Sequence, residues 1–382
     1  MQLPLCGITV VDFSRVLAGP FATMTLGDMG ADVIKVELPE RGDDTRDWGI
    51  LVAPRDSSYF CSFNRNKRSI VLDLSRQDDC AVALQLCATA DVIVENFRAG
   101  GMEKFGLGYE ALRERNPRHI YCAISGYDRA GPEASRPGYD LVIQGESGIM
   151  AINGEPGQKP LKFGVAAVDM FTGMYAAQAI LAALVERHRT GVGRRIDLAL
   201  YDCGVMISSY YGLESLLEGR DPRRFGNGHP SIVPYGVFDA KDGPLVIAVG
   251  TNRQFRDLCK ALGNPALADD DRFVTNSLRS LNRTALLESM QPLLQGSSRA
   301  NLLAVLSAAG IPCGEVLGLH QALTSERSRM AGLIGSHAHP RAGDLPIYNS
   351  PWRFDGDRLP VRRPPMLGEH SAEIRASIDV DA

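Results

Sequence analysis

Between Phe163 and Val185 the chain carries one charged side chain, Asp169, in a run that is otherwise apolar, small or neutral (FGVAAVDMFTGMYAAQAILAALV). Met170, Met174, Ala177, Leu181 and Leu184 recur at helical spacing, and apolar residues extend onto the other faces, which predicts a buried helix. A lone ionised carboxylate in such a helix needs a partner, a raised pKa, or a place where the chain opens into a cleft. Pro160 and Gly164 set the helix start near Val165 or Ala166, so Asp169 falls in the first turn. Free N–H groups and the positive dipole end favour a carboxylate there. Two readings stay open at this point: an acid that only stabilises a helix start, or a functional carboxylate at a cleft.

The same helix is the best candidate for a membrane span, but its acid and its Gly/Ala content fit a core helix better. Hydrophobic residues make up 45% and charged residues 23% of the chain, as in soluble globular proteins. A net charge of −4 gives no ground for a nucleic acid or an anionic membrane as partner. With 382 residues the chain has enough length for a large core and two domains. The opening MQLPLCGITVVDF lacks the plan of a signal peptide, and eight cysteines without a CxxC pair suit reduced thiols, so a cytoplasmic location is expected. His337 and His339 flank Ala338 with no further ligand at metal-site spacing, and no metal is expected.

Ile8 to Phe13 reads as a buried strand, Arg15 to Pro20 as a loop into a helix reaching Met29, and Asp32 to Glu37 as the next strand. No GxGxxG or Walker-type pattern marks that first loop. A long polar loop over 37–55 precedes the basic stretch Asn64–Ser69 and a strand over 70–74, and Ser75 is placed to cap a helix to Ala88. A strand over 91–95 ends in Asn96-Phe97-Arg98-Ala99-Gly100-Gly101, where open α/β sheets bind ligands. A helix over 109–114, strands over 119–124 and 195–200, and a short helix from Asp140 complete an α/β pattern with a mostly parallel sheet. After Gly219 a hairpin (235–240, 245–250) and helices over 253–262, 283–294 and 298–309 suggest a smaller α+β domain. From Ser336 the chain is rich in Pro and Arg and weak in periodicity. The expected division is 1–219, 220–325, and a segment 326–382 returning to the first domain.

The strings GITVVDFSRVLAGPFATMTLGDMGADVIKVE, NRNKRSIVLDL, DVIVENFRAGGMEKFGLGYEAL, ISGYDRAGPEASRPGYDLVIQGESGIM and GNGHPSIVPYGVF, in this order and spacing, resemble class III CoA-transferases over nearly the whole chain. That group includes formyl-CoA and carnitine CoA-transferases and, as divergent members, α-methylacyl-CoA racemases. GVAAVDMFTGMYAA places Asp169 on the family's catalytic aspartate. The resemblance implies a Rossmann-like large domain, a smaller α+β domain and an interlocked, ring-shaped homodimer. It also implies covalent catalysis by the Asp169 carboxylate on an acyl-CoA, with a small carboxylic acid as acceptor and no metal or redox cofactor.

By the same resemblance, Val16, Leu17 and Ala18 lie along the CoA, and Leu72, Asp73, Leu74, Ser75, Asn96, Phe97, Arg98 and Lys104 lie around its adenosine and phosphates. Tyr139 and Asp140 lie beside the thioester. Formyl-CoA transferases carry Gln at the position of Leu17, a basic residue at Leu38 and a Gly-rich loop absent around Gly226 to His229, which points away from oxalate. Lys35, Arg65, Lys67 and Arg68 are candidate substitutes for the missing phosphate-facing cation. GNGHPSIVPY points to succinyl-CoA with dicarboxylate acceptors such as glutarate, itaconate, mesaconate or citramalate, with His229 a candidate for the distal carboxylate. Racemases place a histidine where this chain has Tyr139, a poor base at neutral pH. A racemase and a non-catalytic acyl-CoA-binding subunit are the alternatives.

Overall fold

Six strands, all parallel, carry the fold in the computed structural model, which describes residues 3–379: β1 (Thr9–Asp12), β2 (Asp32–Glu37), β3 (Lys67–Val71), β4 (Val92–Glu95), β5 (Ile120–Ser125) and β6 (Arg195–Ala199). Their order across the sheet is β3-β2-β1-β4-β5-β6. β1, β2 and β4 read as short apolar runs because helices cover both faces; Val10, Val11, Val33, Val92 and Ile93 are completely buried. The order reverses direction between β1 and β4, so the loops leaving their carboxyl ends part and open a crevice.

The helices follow from the connections: α1 (Ala18–Asp28) joins β1 to β2, α2 (Gln77–Thr89) joins β3 to β4, and α3 (Tyr109–Arg115) joins β4 to β5. Two more, α4 (Asp140–Glu146) and α5 (Ala167–Thr190), lie between β5 and β6. α2 starts from Arg76 rather than Ser75, because the Ser75 hydroxyl instead bonds the Asp73 carboxylate at 2.6 Å. α5 packs against α1 at close range: a Cβ on Gly173 would sit 2.6 Å from the Ala18 carbonyl oxygen. Its end is fixed by Gly191 at φ 74°, whose N–H bonds the Arg187 carbonyl.

α5 is not buried all round. Gly173, Ala176, Ala177, Ile180 and Ala183 form the stripe facing α1 and the sheet, while Phe171, Met174 and Val185 are 41%, 46% and 65% exposed. Helices Leu200–Ile207 and Ser209–Glu218, which periodicity did not mark, add Val205, Met206, Tyr210 and Leu213 to the exposed apolar residues.

The chain divides into two compact units, one of residues 1–149, 162–213 and 326–382, the other of 150–161 and 214–325. Segment 150–161 therefore groups with the smaller unit, where the Glu155 carboxylate packs on Gly226. That unit has an antiparallel sheet, Tyr235–Ala240, Gly243–Ala248 and Cys313–Glu315, with Phe255, Leu258, Met290 and Leu306 in its core.

In the larger unit the Pro- and Arg-rich segment is more ordered than its composition suggests. It forms a hairpin, Ile334–His339 with Gly343–Tyr348, and a helix, Ser371–Asp379. Ile374 joins the core beside Ile70 and Leu86, and His370 and Ser371 bond the outer edge of β3.

Candidate active site

The loop leaving β1 is held one residue at a time. Lys35 donates to the Ser14 carbonyl at 2.8 Å, Asn96 grips the Arg15 N–H at 2.9 Å and its carbonyl at 2.7 Å, and Asp43 accepts the Val16 N–H at 3.3 Å. Val16 adopts φ 73°, a strained conformation for a β-branched residue. Below it lie two buried ion pairs, Lys35–Asp43 at 2.9 Å and Lys67–Asp12 at 3.0 Å. Burial opposes the charge on Asp12, but Lys67 and Lys35 outweigh it and hold the acid down at about 2. Burial likewise opposes the Asp43 charge, and Lys35 with Thr45 keeps that pKa below the ordinary value.

This loop walls a cavity of ≈ 450 Å³ at the crevice, with Asn96, Phe97 and Arg98 from the end of β4. Ser125 and Gly126 from β5, then Tyr139, Asp140 and Asp169, complete the lining used below. The glycines of two loops set the last group: a Cβ on Gly126 would lie 2.6 Å from the Gly138 Cα. Only a side-chain-free pair allows those backbones to touch, and their contact aims Tyr139 and Asp140 at the cavity.

Asp140 caps α5 from another helix. Its Oδ1 accepts the N–H of Val168 at 2.9 Å and of Asp169 at 3.2 Å, while Oδ2 accepts from Gln144 at 2.6 Å. Ala166, at the cap position itself, has no side chain to do this. Asp169 is half-buried, and desolvation, with the Asp140 charge added, pushes its pKa up to about 7. Ionised, such a group is a poorly solvated, reactive carboxylate; near neutrality it also carries a proton part of the time. Burial and the Asp169, Asp140 and Asp43 charges together push the Tyr59 phenol up to about 12, which keeps it protonated.

A second cavity of ≈ 280 Å³ shares Arg15 and Phe97 with the first as a common wall. Leu38, Leu72, Leu74, Phe97 and Phe105 make it mostly apolar, with Asp73 and Ser75 at its edge.

The structure gathers Val16, Leu17, Ala18, Asn96, Phe97, Arg98, Tyr139, Asp140 and Asp169 around the first cavity and Leu72, Asp73, Leu74 and Ser75 around the second. Lys104 is exposed and lines neither. The four candidates for a phosphate-facing cation, Lys35, Arg65, Lys67 and Arg68, are each engaged with an acid, and of them Lys35 alone lines the second cavity. Lys35 and Lys67 are buried in the pairs described, Arg65 forms a buried fork with Asp28, and Arg68 pairs with Asp32 and Glu373. The His229 ring nitrogen Nδ1 accepts the N–H groups of Ser231 and Ile232, so that atom is engaged in its own turn.

Arg15, Asp43, Asp44 and Arg136 were not singled out by the sequence. The one signal available was the length of the loop over 37–55, which supplies Asp43 and Asp44.

The family profile described as CoA-transferase family III matches residues 5–371. The succinate–glutarate CoA-transferase of Agrobacterium fabrum is 42% identical over 98% of this chain and 96% of its own length. The human succinyl-CoA:glutarate CoA-transferase is 38% identical over 97% of this chain and 85% of its length. Among solved structures, a CAIB/BAIF family protein from Brucella suis superposes with a TM-score of 0.87 at 42% identity, covering 99% of this chain and 100% of that one.

Proposed function

The chain belongs to CoA-transferase family III, and from that premise we propose that it moves CoA from succinyl-CoA to a small dicarboxylate such as glutarate, with Asp169 as nucleophile. The single observation that carries this reading is a half-buried carboxylate with a pKa raised to about 7, lining a cavity at the sheet's reversal point.

In the proposed sequence the Asp169 carboxylate attacks the thioester carbon and expels CoA thiolate, leaving an acyl–aspartyl anhydride. The thiolate attacks the aspartyl carbonyl, releasing the donor acid and forming an aspartyl-CoA thioester. The acceptor carboxylate attacks that carbonyl, again expelling thiolate and giving the second anhydride. Thiolate attack on the acceptor's acyl carbon then forms the new acyl-CoA and returns the carboxylate. Thiolate and carboxylate exchange leaving-group roles at each step, so no net proton or electron is needed. Water must stay out while an anhydride exists, and the apolar start of α5 supports this.

The apolar second cavity suits the adenine ring, and the tethered loop 14–18 suits the pantetheine chain. Arg15 and Arg98 line the first cavity and offer charge to phosphates or a distal carboxylate, whereas Arg136, also in the lining, is paired with Glu133 and Glu146. The dicarboxylate class is supported by the relatives, which are glutarate CoA-transferases. Eight free thiols suit a reducing, cytoplasmic setting.

We further propose a homodimer, because single chains rarely leave exposed as many apolar residues as α5 and residues 200–213 do, and the family resemblance implies that its rings interlock. The deciding experiment is a panel of succinyl-CoA against C4–C6 dicarboxylates ranked by kcat/KM, with mass detection of CoA trapped on Asp169. Absence of exchange with every pair would defeat the reading.

A further inference from the structure

Val16 is the one β-branched residue at positive φ among the described residues. A glycine would reach φ 73° freely, but it would leave the loop mobile when no ligand is bound. Valine there requires that the surroundings hold it in place. Both oxygens of Asp43 lie 3.3 Å from the Val16 nitrogen. Asp43 is in turn fixed by Lys35 at 2.9 Å and by the Thr45 N–H and hydroxyl at 3.0 and 2.8 Å. Lys35 is completely buried and also donates to the Ser14 carbonyl two residues earlier. One ammonium therefore sets both the entry to the strained residue and the acceptor that faces it. Both side chains are buried, and both residues lie in the lining of the second cavity.

We propose that Lys35 and Asp43 are positioning residues for CoA, acting as a buried strut that forces Val16 into the left-handed conformation and so presents the main chain of residues 16–18 to the ligand. The proposal rests on the reading that CoA lies along this loop. The strut pre-forms a surface that a flexible loop would have to order on binding, at a cost in affinity.

A double-mutant cycle read by calorimetric titration of CoA into the full-length protein tests it. Asp43→Asn is expected to weaken CoA binding about tenfold when position 16 is valine, and to raise KM for acyl-CoA with kcat held within about twofold. In the Val16→Gly background, where no strain needs support, the same substitution is expected to cost no more than about twofold. An equal loss in both backgrounds overturns the strut, since a general weakening of the fold would not depend on residue 16. Should Asp43→Asn not fold, hydrogen exchange on the unaltered, CoA-free protein decides: the amides of residues 13–16, each bonded to an acceptor, are expected to be protected, and free exchange there overturns the proposal. If the unaltered protein binds no CoA at all, the reading beneath the proposal fails instead, and the two failures are distinct.

Discussion

The carboxylate of Asp140 accepts the backbone N–H of Asp169 at 3.2 Å, so one acid caps the helix turn that carries the other. That arrangement takes up the donors that would have stabilised Asp169 as an anion, and it adds a like charge beside it. The result is a carboxylate raised to about 7, by burial first and by Asp140 second.

A nucleophile with that pKa must lose its proton to act. kcat/KM is expected to rise about tenfold per pH unit below about 7 and to level above it. Asp169→Ala is expected to fold and to lose about a thousandfold or more in kcat. A flat profile between pH 5 and 8, or substantial transfer by the alanine variant, argues against the carboxylate as nucleophile.

The same shift has a stability consequence of definite sign. Folded Asp169 keeps its proton up to about 7, whereas the unfolded residue releases it near 3.8. Between those values the folded state binds more protons, so this group's contribution to stability falls as pH rises through the window. Asp169→Asn should therefore stabilise the protein at pH 8 by about 1 kcal/mol, allowing for solvent at the open edge of the carboxylate, and by nothing at pH 4. Urea unfolding at both pH values measures the difference.

Asp140→Asn keeps an acceptor for the α5 N–H groups and removes the charge. The acid limb of the rate profile should move to lower pH, with stability nearly unchanged. Asp140→Ala removes the acceptor as well and should cost about 1 kcal/mol more, as loss of a helix cap does. Identical profiles for the parent and the asparagine variant would count against the electrostatic coupling.

Gly173→Ala inserts a methyl group 2.6 Å from the Ala18 oxygen. The two helices must separate, at a cost of about 1–3 kcal/mol. Because α1 begins at the tethered loop, KM for acyl-CoA should rise alongside the drop in Tm. A drop in Tm alone would mean that the displacement stops short of the loop.

Met206 is 63% exposed on a helix with Val205 beside it. If that face is buried between two copies, Met206→Glu puts an unpaired charge into the interface, at about 3–5 kcal/mol. Interlocked rings part only by unfolding, so the variant should reassemble poorly after refolding, with light scattering reporting a lower yield of dimer than for the parent. A monomeric parent would rule out the dimer.

Most strands of the parallel sheet and the start of α5 were legible because apolar runs and a lone acid are local signals; β2 falls on Asp32–Glu37 as read, whereas β3 starts at Lys67 and not at Ile70, because the charges of Lys67 and Arg68 are paired within the fold. Partnerships were not. Lys35, Arg65, Lys67 and Arg68 read as free cations because their acids, Asp43, Asp28, Asp12 and Asp32, are brought to them only by the sheet. The hairpin over 334–348 is not legible because Gly335, Pro340 and Pro346 interrupt the alternation that marks a strand. α5 looked buried all round because sequence records apolar character and not what covers it.

The edge of β3 is closed by residues some 300 positions further along: the His370 N–H bonds the Ser69 carbonyl at 3.0 Å, and Val71 donates to the Ser371 hydroxyl at 3.1 Å. During synthesis that edge has no cover until residue 371 has left the ribosome. A nascent sheet with an open strand is a template for pairing with a neighbouring chain. Timing is thus written into the order in which the fold's parts are made.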